Sequence, residues 1–317
     1  DIFVPLYDHQ IPPGSANVVH YEIQIPDDAA GSVSIEVALR YRKFDAEFVE
    51  FFTTKSRPGD LPIRDFASGT EYGNPLPVVI LAKDQITLPL AETAASEQKV
   101  PDIPEWERWN DYGIGMLLKG KATLRQAEDA FKRVEQLGRV DGPLNLARVY
   151  YTEGRLDEAV AAIQRAAEFQ DPPARPWTLA WLSGITNREQ GHLEEAEQNF
   201  RQILEQRTAE MIDRGLDFSR DYEVRNLLGL TLFDQARQLR GESVAEQRRL
   251  ILEDAVSQFN HTLSLDQENV AAHFNLKLIY GILGDKAVEE EHGKLHARYK
   301  PDDNARDRAT ALARQHY

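Results

Sequence analysis

The stretch DGPLNLARVYYTEGRLDEAVAAIQRAAEFQDP, residues 141–172, constrains this chain more than any other feature. Leu146, Ala147 and Tyr150, then Gly154, then Ala159, Ile163 and Ala166 fall at the spacing of a helix, a tight turn and a second helix folded back on the first. Ala147, Ala159 and Ala166 are small where two helices must approach closely, Gly154 supplies the turn, and Leu146, Tyr150 and Ile163 fill the seam. Asp171-Pro172-Pro173 closes the unit, because proline cannot extend a helix. One such hairpin cannot cover its own apolar faces, so neighbours of the same kind must stack on it.

Copies occur on both sides. Trp109, Tyr112 and Gly113, followed by Ala127, Phe131 and Val134, form the first, with about two extra residues in its turn. The third runs from Trp177 to Leu204 with Gly184, Gly191, Ala196, Phe200 and Ile203 in the matching places, and its turn, EQGHLEEAEQNF, closely reproduces TEGRLDEAVAAI of the second. Residues 207–220 interrupt the array as a helical extension ending near Gly215. The fourth copy has Leu227, Leu228, Gly229 and Leu232, then Ala255, Phe259 and Leu263, and between them Arg237 to Arg249 reads as an insertion of roughly four turns of charged helix. The fifth is looser: Phe274, Leu276, Tyr280 and Gly284 fit, but its second helix carries Glu289-Glu290-Glu291 in place of regular small residues, as expected where an outer face meets water. This spacing is that of the tetratricopeptide repeat (TPR).

Residues 1–100 read as β. Val18 to Ile25 alternates and stops at Pro26, and Val33, Ile35, Val37, Leu39 and Tyr41 keep a period of two, so these two runs are expected to pair across the short turn between them. Phe48 to Thr53 and Gln85 to Leu90 are further strand candidates, separated by a proline- and glycine-rich loop. AETAASEQKVPDIP, residues 91–104, reads as a linker. The expected fold class is therefore α+β, mainly α: a TPR-type α-solenoid of about five hairpins over residues 105–300, preceded by a small antiparallel β domain, sheet or sandwich, over 1–100. Residues 301–317 form a last helix, capped by Asp303 or Asn304, or a tail.

Composition narrows the function. The formal net charge of −15 is spread along the chain and no block of Lys or Arg is interleaved with aromatics, which argues against a nucleic-acid partner. Zero cysteines exclude disulfides, thiolate metal sites, a cysteine nucleophile and thioether-attached haem within these residues. No run approaches about 18 apolar residues, so no membrane span is expected, and DIFVPLYDHQIPP lacks the regions of a signal peptide. A start without methionine fits a mature or excised piece of a longer product.

VPLYDHQIPPGSANVVHY, LRYRKFDAEF, WERWNDYGIGMLLKG with FKRV, and LNLARVYYTEGRLDEAV together resemble the C-terminal region of bacterial proteins that join a multihaem cytochrome c to a β segment and TPR repeats. The resemblance spans most of residues 1–310 and is most specific in the β segment and the WNDYG start. It implies export to the periplasm or outside the cell, an electron-transport setting and partner binding by the repeats. These residues contain no CxxCH, so haem c would sit on a preceding region or on a partner, and no cofactor is expected in the chain itself.

The first helices of the hairpins should line the inner face of the stack. Projection of the repeat places there Asn110, Ile114 and Leu117, then Leu144, Arg148 and Tyr151, then Trp181, Ile185 and Arg188, then Asn226, Leu230 and Phe233, and finally Phe274 and Leu278. Arginine beside Tyr and Trp on such a face suits an extended or helical acidic segment; the alternative is that several of these residues pack against the next hairpin. The groove reading predicts that Arg148→Ala or Trp181→Ala weakens partner capture while thermal stability stays nearly unchanged.

Other motifs have bland readings beside sharp ones. His292 and His296 stand four apart on a helix near Glu289, a spacing that can bind a transition metal, but EEEHGKLH offers no third ligand and solvated surface histidines account for it. His9 and His20 flank IPPGSANVV and could approach a neighbouring haem, or be hydrogen-bonded structural residues. Gly113, Gly115 and Gly120 mimic a phosphate loop, yet no strand precedes them; close helix packing accounts for the first two and a turn for the third. Asn260-His261-Thr262 is formally a glycosylation sequon in mid-helix. No catalytic constellation emerges, and catalysis is not expected. The residues therefore point first to a non-catalytic protein-protein interaction scaffold, which the resemblance would set in a multihaem cytochrome system. Second comes an electron-transfer subunit offering surface or histidines to a haem next door, and third a self-assembling homo-oligomer or filament joined through an open sheet edge.

Overall fold

The computed structural model describes residues 16–26, 28–42, 78–90 and 102–301, together with 308, 311 and 312. Two compact units divide the chain, one made of Asp1–Val19 with Ile103–Tyr317 and the other of His20–Asp102. The Phe48 to Thr53 strand, the loop after it, most of the 91–104 linker, His9 and most of the 301–317 tail lie outside the described residues.

Among its described residues the smaller unit holds a two-stranded antiparallel sheet, β1 (Ser32–Tyr41) against β2 (Val79–Pro89). Val33 faces Leu88 and Ile35 faces Ile86, so the odd-numbered residues of β1 share one apolar face, while Glu36 and Lys83 form an ion pair at 2.9 Å. The expected partner of β1 is therefore corrected. Residues 16–26 form no strand, and β1 pairs with a run that begins six residues before Gln85. Alternation assigns faces to a strand but does not choose its neighbour, and Val79-Ile80-Leu81 adds β-branched residues that extend the ladder.

The larger unit is a TPR-type array of five helix hairpins. They are α1 (Glu105–Leu118) with α2 (Leu124–Gln136), α3 (Asp141–Glu153) with α4 (Leu156–Glu168), and α5 (Pro176–Gln190) with α6 (Leu193–Glu205). A short helix α7 (Ala209–Asp213) then precedes α8 (Tyr222–Gln238) with α9 (Ala245–Leu265) and α10 (Val270–Leu283) with α11 (Lys286–Tyr299). The seam of each hairpin follows from residue size. A Cβ on Gly113 would stand 2.6 Å from the Phe131 ring, one on Gly184 2.7 Å from Phe200, and one on Gly229 2.9 Å from Phe259, so each phenylalanine fits only because the facing helix has no side chain there. The second hairpin solves the same problem with Ala147 against the smaller Ile163. Gly154, Gly191 and Gly284 end α3, α5 and α10 in the left-handed region, at φ 78°, 82° and 86°, where a Cβ would be strained.

Stacking covers the other faces. Each first helix packs on the second helix of the preceding hairpin, burying Val149, Thr186, Thr231 and Ile279, two residues beyond the seam position of their helices. At the matching place in α1 stands Gly115, and the extended residues 16–18 fill it, with Val18 where a Cβ would otherwise be. An extended segment thus caps the array where a preceding hairpin would sit. Residues 237–249 are also corrected. They are not a separate charged helix but the end of α8, a turn at Gly241 (φ 96°), a single 3-10 turn and the first residues of α9, which begins well before Ala255. Charged residues here lengthen two existing helices rather than building a third.

Candidate functional site

Successive first helices touch, α1 with α3, α3 with α5 and α8 with α10, and no comparable contact joins successive second helices. The first helices therefore crowd onto the inner side of the stack. Solenoids of this kind offer extended concave binding surfaces.

At the start of the inner row, Asn145 donates to Asn110 at 2.9 Å and accepts from the Arg148 guanidinium at 2.6 Å. Asn145 was not singled out from the sequence, because an asparagine inside a helix carries no periodic signal; here it couples α1 to α3 and aims Arg148. No carboxylate among the described residues forms an ion pair with Arg148. Burial depresses the basicity of its guanidinium, and the nearby Asp141 offsets this only in part. Tyr151, one turn on, is half-buried, and burial followed by the charge of Glu189 pushes its hydroxyl pKa up.

The middle of the row is more self-contained. Trp181 and Ile185 lie at the rim of both core clusters, the one built on hairpins one and two and the one built on hairpins three to five, and the Trp181 ring meets Phe200 edge-on at 6.4 Å. Trp181→Ala is therefore expected to lower stability, which corrects the expectation that it would leave stability nearly unchanged. Arg188 is bound to Asp234 at 2.8 Å, so its charge is already met. Asn226 donates to Asn269, the residue whose side chain caps α10, and its own amide oxygen is buried without a hydrogen bond. Leu144 (9% exposed) and Phe233 (4%) are core residues, not groove residues, because the helices on either side close over them.

The far end of the row is apolar and open. Phe274, Leu278 and Ile282 recur every four residues along α10 and are all exposed. Of the fourteen groove residues projected from the sequence, Arg148, Tyr151, Phe274 and Leu278 keep chemistry to offer a partner, and Ile282 extends the stripe.

The histidines are rearranged relative to expectation. His292 is not a solvated surface residue: its Nδ1 lies 2.9 Å from Nδ1 of the buried His273, and its ring stacks on Tyr280. His273 Nε2 donates to the Gln267 carbonyl at 3.0 Å, so in the neutral pair His292 Nδ1–H donates to His273 Nδ1. Burial, then His273, lowers the pKa of His292. His296 packs on Phe274, and His20 lies in the extended stretch before β1. No group of three or more metal-ligating side chains is found among the described residues, and none of their helices is long and apolar enough to cross a membrane.

No protein-family model and no curated protein matches the chain. Solved structures to which it is similar include MamA of strain AMB-1 (18% identity, 63% of this chain and 96% of that one, TM-score 0.44). Another is YrrB, described as a TPR protein with an unusual peptide-binding site (16%, 62% and 87%, 0.44). A third is TTC0263, a TPR protein of Thermus thermophilus (20%, 51% and 75%, 0.38).

Proposed function

We propose that this chain is a non-catalytic scaffold whose inner row of first helices holds a segment of another protein. The observation that carries the reading is Arg148, a half-buried cation on that row, aimed by the Asn110–Asn145 pair and met by no carboxylate of the described residues. A desolvated charge without a counter-ion is unfavourable, and a partner's acidic group is the natural complement. Arg148→Gln keeps the size and some hydrogen bonding while removing the charge. Capture of partners should fall with Arg148→Gln and persist with the outer-face control Gln198→Ala. Unchanged capture by a folded Arg148→Gln protein overturns the reading.

The setting we assign, an exported multihaem cytochrome system, rests on the resemblance carried by residues 4–21, 39–48 and 106–120. In that setting haem belongs to a preceding region or a partner. An optical spectrum of native material checks it: a Soret band or a co-purifying cytochrome is expected, and absence of both removes the electron-transport part while leaving the scaffold. Self-association through the sheet is a second reading, favoured by the exposure of Val37, Leu39, Ile80 and Leu81. Light scattering that shows a concentration-independent monomer excludes it.

A further inference from the structure

We infer that the overhang of the fourth hairpin forms an anion subsite, which receives the acidic end of an amphipathic protein segment lying along α10. This rests on the reading of the inner row as a partner-binding surface and names the partner's chemistry.

The subsite follows from the longest turn within a hairpin of the array, residues 239–244. α3, α5 and α10 end at a left-handed glycine, and α4, α6 and α11 start almost at once. α8 instead runs on to Gln238, and α9 begins at Ala245, about two turns earlier relative to Ala255 than α4 begins relative to Ala159. The two extensions overhang the end of α10 and enclose a pocket of about 260 Å³ floored by Leu239, Leu252 and Ile282 and rimmed by Arg237, Arg240 and Arg248.

Three guanidiniums around an apolar floor are out of character for a chain of net charge −15. Their neutralisation is incomplete. Among the described carboxylates Arg237 reaches Asp234 alone, at 3.5 Å, and Asp234 is already held by Arg188 at 2.8 Å; the Arg237 guanidinium otherwise lies over the Phe233 ring. Arg248 points one nitrogen at the Leu239 carbonyl from 3.4 Å, and Arg240 has no carboxylate partner among the described residues. By contrast Arg249, which is outside the pocket, is paired with both Glu246 and Glu253.

Ile282 belongs to two features at once. It floors the pocket, and it ends the exposed stripe Phe274, Leu278, Ile282. An amphipathic helix with apolar residues at four-residue spacing covers such a stripe, and acids at one of its ends reach the arginines. A neutral segment would leave the guanidiniums unanswered, and the four-residue spacing of the stripe is what favours a helix.

The test is selection of peptides of about 16 random residues displayed on phage, against the whole chain and against the Arg240→Gln, Arg248→Gln double variant. The wild type should enrich peptides with apolar residues three or four apart next to a run of Asp or Glu. The double variant, and replacement of those acids by Gln in the peptide, should each weaken binding about tenfold or more. Leu278→Ser should weaken the same peptides. Enriched peptides that lack acids, or that bind the double variant equally well, overturn the subsite and leave the scaffold reading in place. Enrichment of nothing, or of peptides indifferent to both Leu278→Ser and Arg148→Gln, overturns the two together. Sedimentation of the wild type, but not the double variant, with phosphatidylglycerol vesicles assigns the arginines to a lipid surface and overturns the protein partner.

Discussion

The second and fifth hairpins share one skeleton and differ in what covers it. Both bury a leucine at the same place in the first helix, Leu146 and Leu276, and both turn at a left-handed glycine, Gly154 and Gly284. The second has neighbours on both sides, and α4 buries Ala159, Ala162, Ile163 and Ala166. Among the described residues the fifth packs on a preceding hairpin alone, and α11 buries no residue completely. Where the second hairpin has an alanine seam, the fifth has Lys277 at the small position and a stack of Tyr280, His292, His273 and Tyr299. The repeat pattern thus specifies the hairpin, while its neighbours decide how much apolar surface it can hide.

The largest test of this contrast is Leu146→Ala against Leu276→Ala. Each removes a fully buried leucine and should cost about 2–5 kcal/mol locally. If hairpins at the end of an array open separately, Leu146→Ala lowers the main denaturation midpoint, whereas Leu276→Ala releases α10 and α11 and leaves that midpoint nearly in place. Hydrogen exchange read helix by helix distinguishes the two, and equal loss of the main midpoint would show the array to be one cooperative block.

Next in size is Glu128, which joins the first hairpin to the second through Arg155 at 2.8 Å and Tyr150 at 3.2 Å and also pairs with Lys132 of its own helix at 2.7 Å. Burial alone would push its carboxyl up, but the hydrogen bonds from Arg155 and Lys132 outweigh it and hold the pKa at about 2. A folded pKa below the unfolded 4.5 gives stability that is present above pH 4.5 and lost as pH falls toward 2. Glu128→Gln should cost between about 1 and 3 kcal/mol at neutral pH, and the difference from wild type should vanish in acid. A pH-independent difference would mean that packing, not charge, carries the contact.

How much of this was legible depended on what each signal encodes. The five hairpins could be read because small and large residues at fixed spacing are themselves the packing constraint, as Gly113 with Phe131 and Gly184 with Phe200 show. The sheet could be read only in part. Residues 18–25 alternate as well as 33–41 do, but Val18 is taken by Gly115 of the helical unit, a contact no local pattern encodes. On the inner row, Arg148 is left half-buried and Phe274 exposed, but projection from the repeat could not see that Leu144 and Phe233 are closed over by neighbouring helices. Asn145, Arg240 and Arg248 escaped because their roles arise between helices: an amide bridging α1 and α3, and arginines brought to one pocket by two overlong helices.

The turns offer a smaller test. Gly154→Ala and Gly284→Ala each force a Cβ into the left-handed region, with nothing nearby to clash, so each should cost about 1 kcal/mol through strain alone. Equal losses by chemical denaturation, after allowing for separate opening of the last hairpin, would confirm that the turn is common to both. A much larger loss at Gly154 would show that the middle of the array transmits the strain to its neighbours.

The smallest effect expected is acid loosening of α11. The pKa of His292 is lowered by its burial and then by His273, with Glu291 opposing, so the folded state favours the neutral ring. A histidine whose folded pKa lies below the unfolded 6.5 loses stability as pH falls below that value, because the unfolded chain takes up the proton more readily. The geometry gives the same sign. A charge gained by the His292 ring would sit half-buried, with its Nδ1 2.9 Å from that of the buried His273 and its ring stacked on Tyr280, where burial disfavours it. Amides of α11 should therefore exchange faster at about pH 5 than at about pH 7.5 once intrinsic rates are divided out, and those of α4, which has no such pair, should not. His292→Phe keeps a ring against Tyr280 while removing the proton site, so it should abolish the pH response of α11. If α11 in the wild type is equally protected at both values, the histidine pair does not tie it to α10, and the fifth hairpin is held by the packing of buried Leu276 and Ile279 and by the contacts of α10 with α8 and α9.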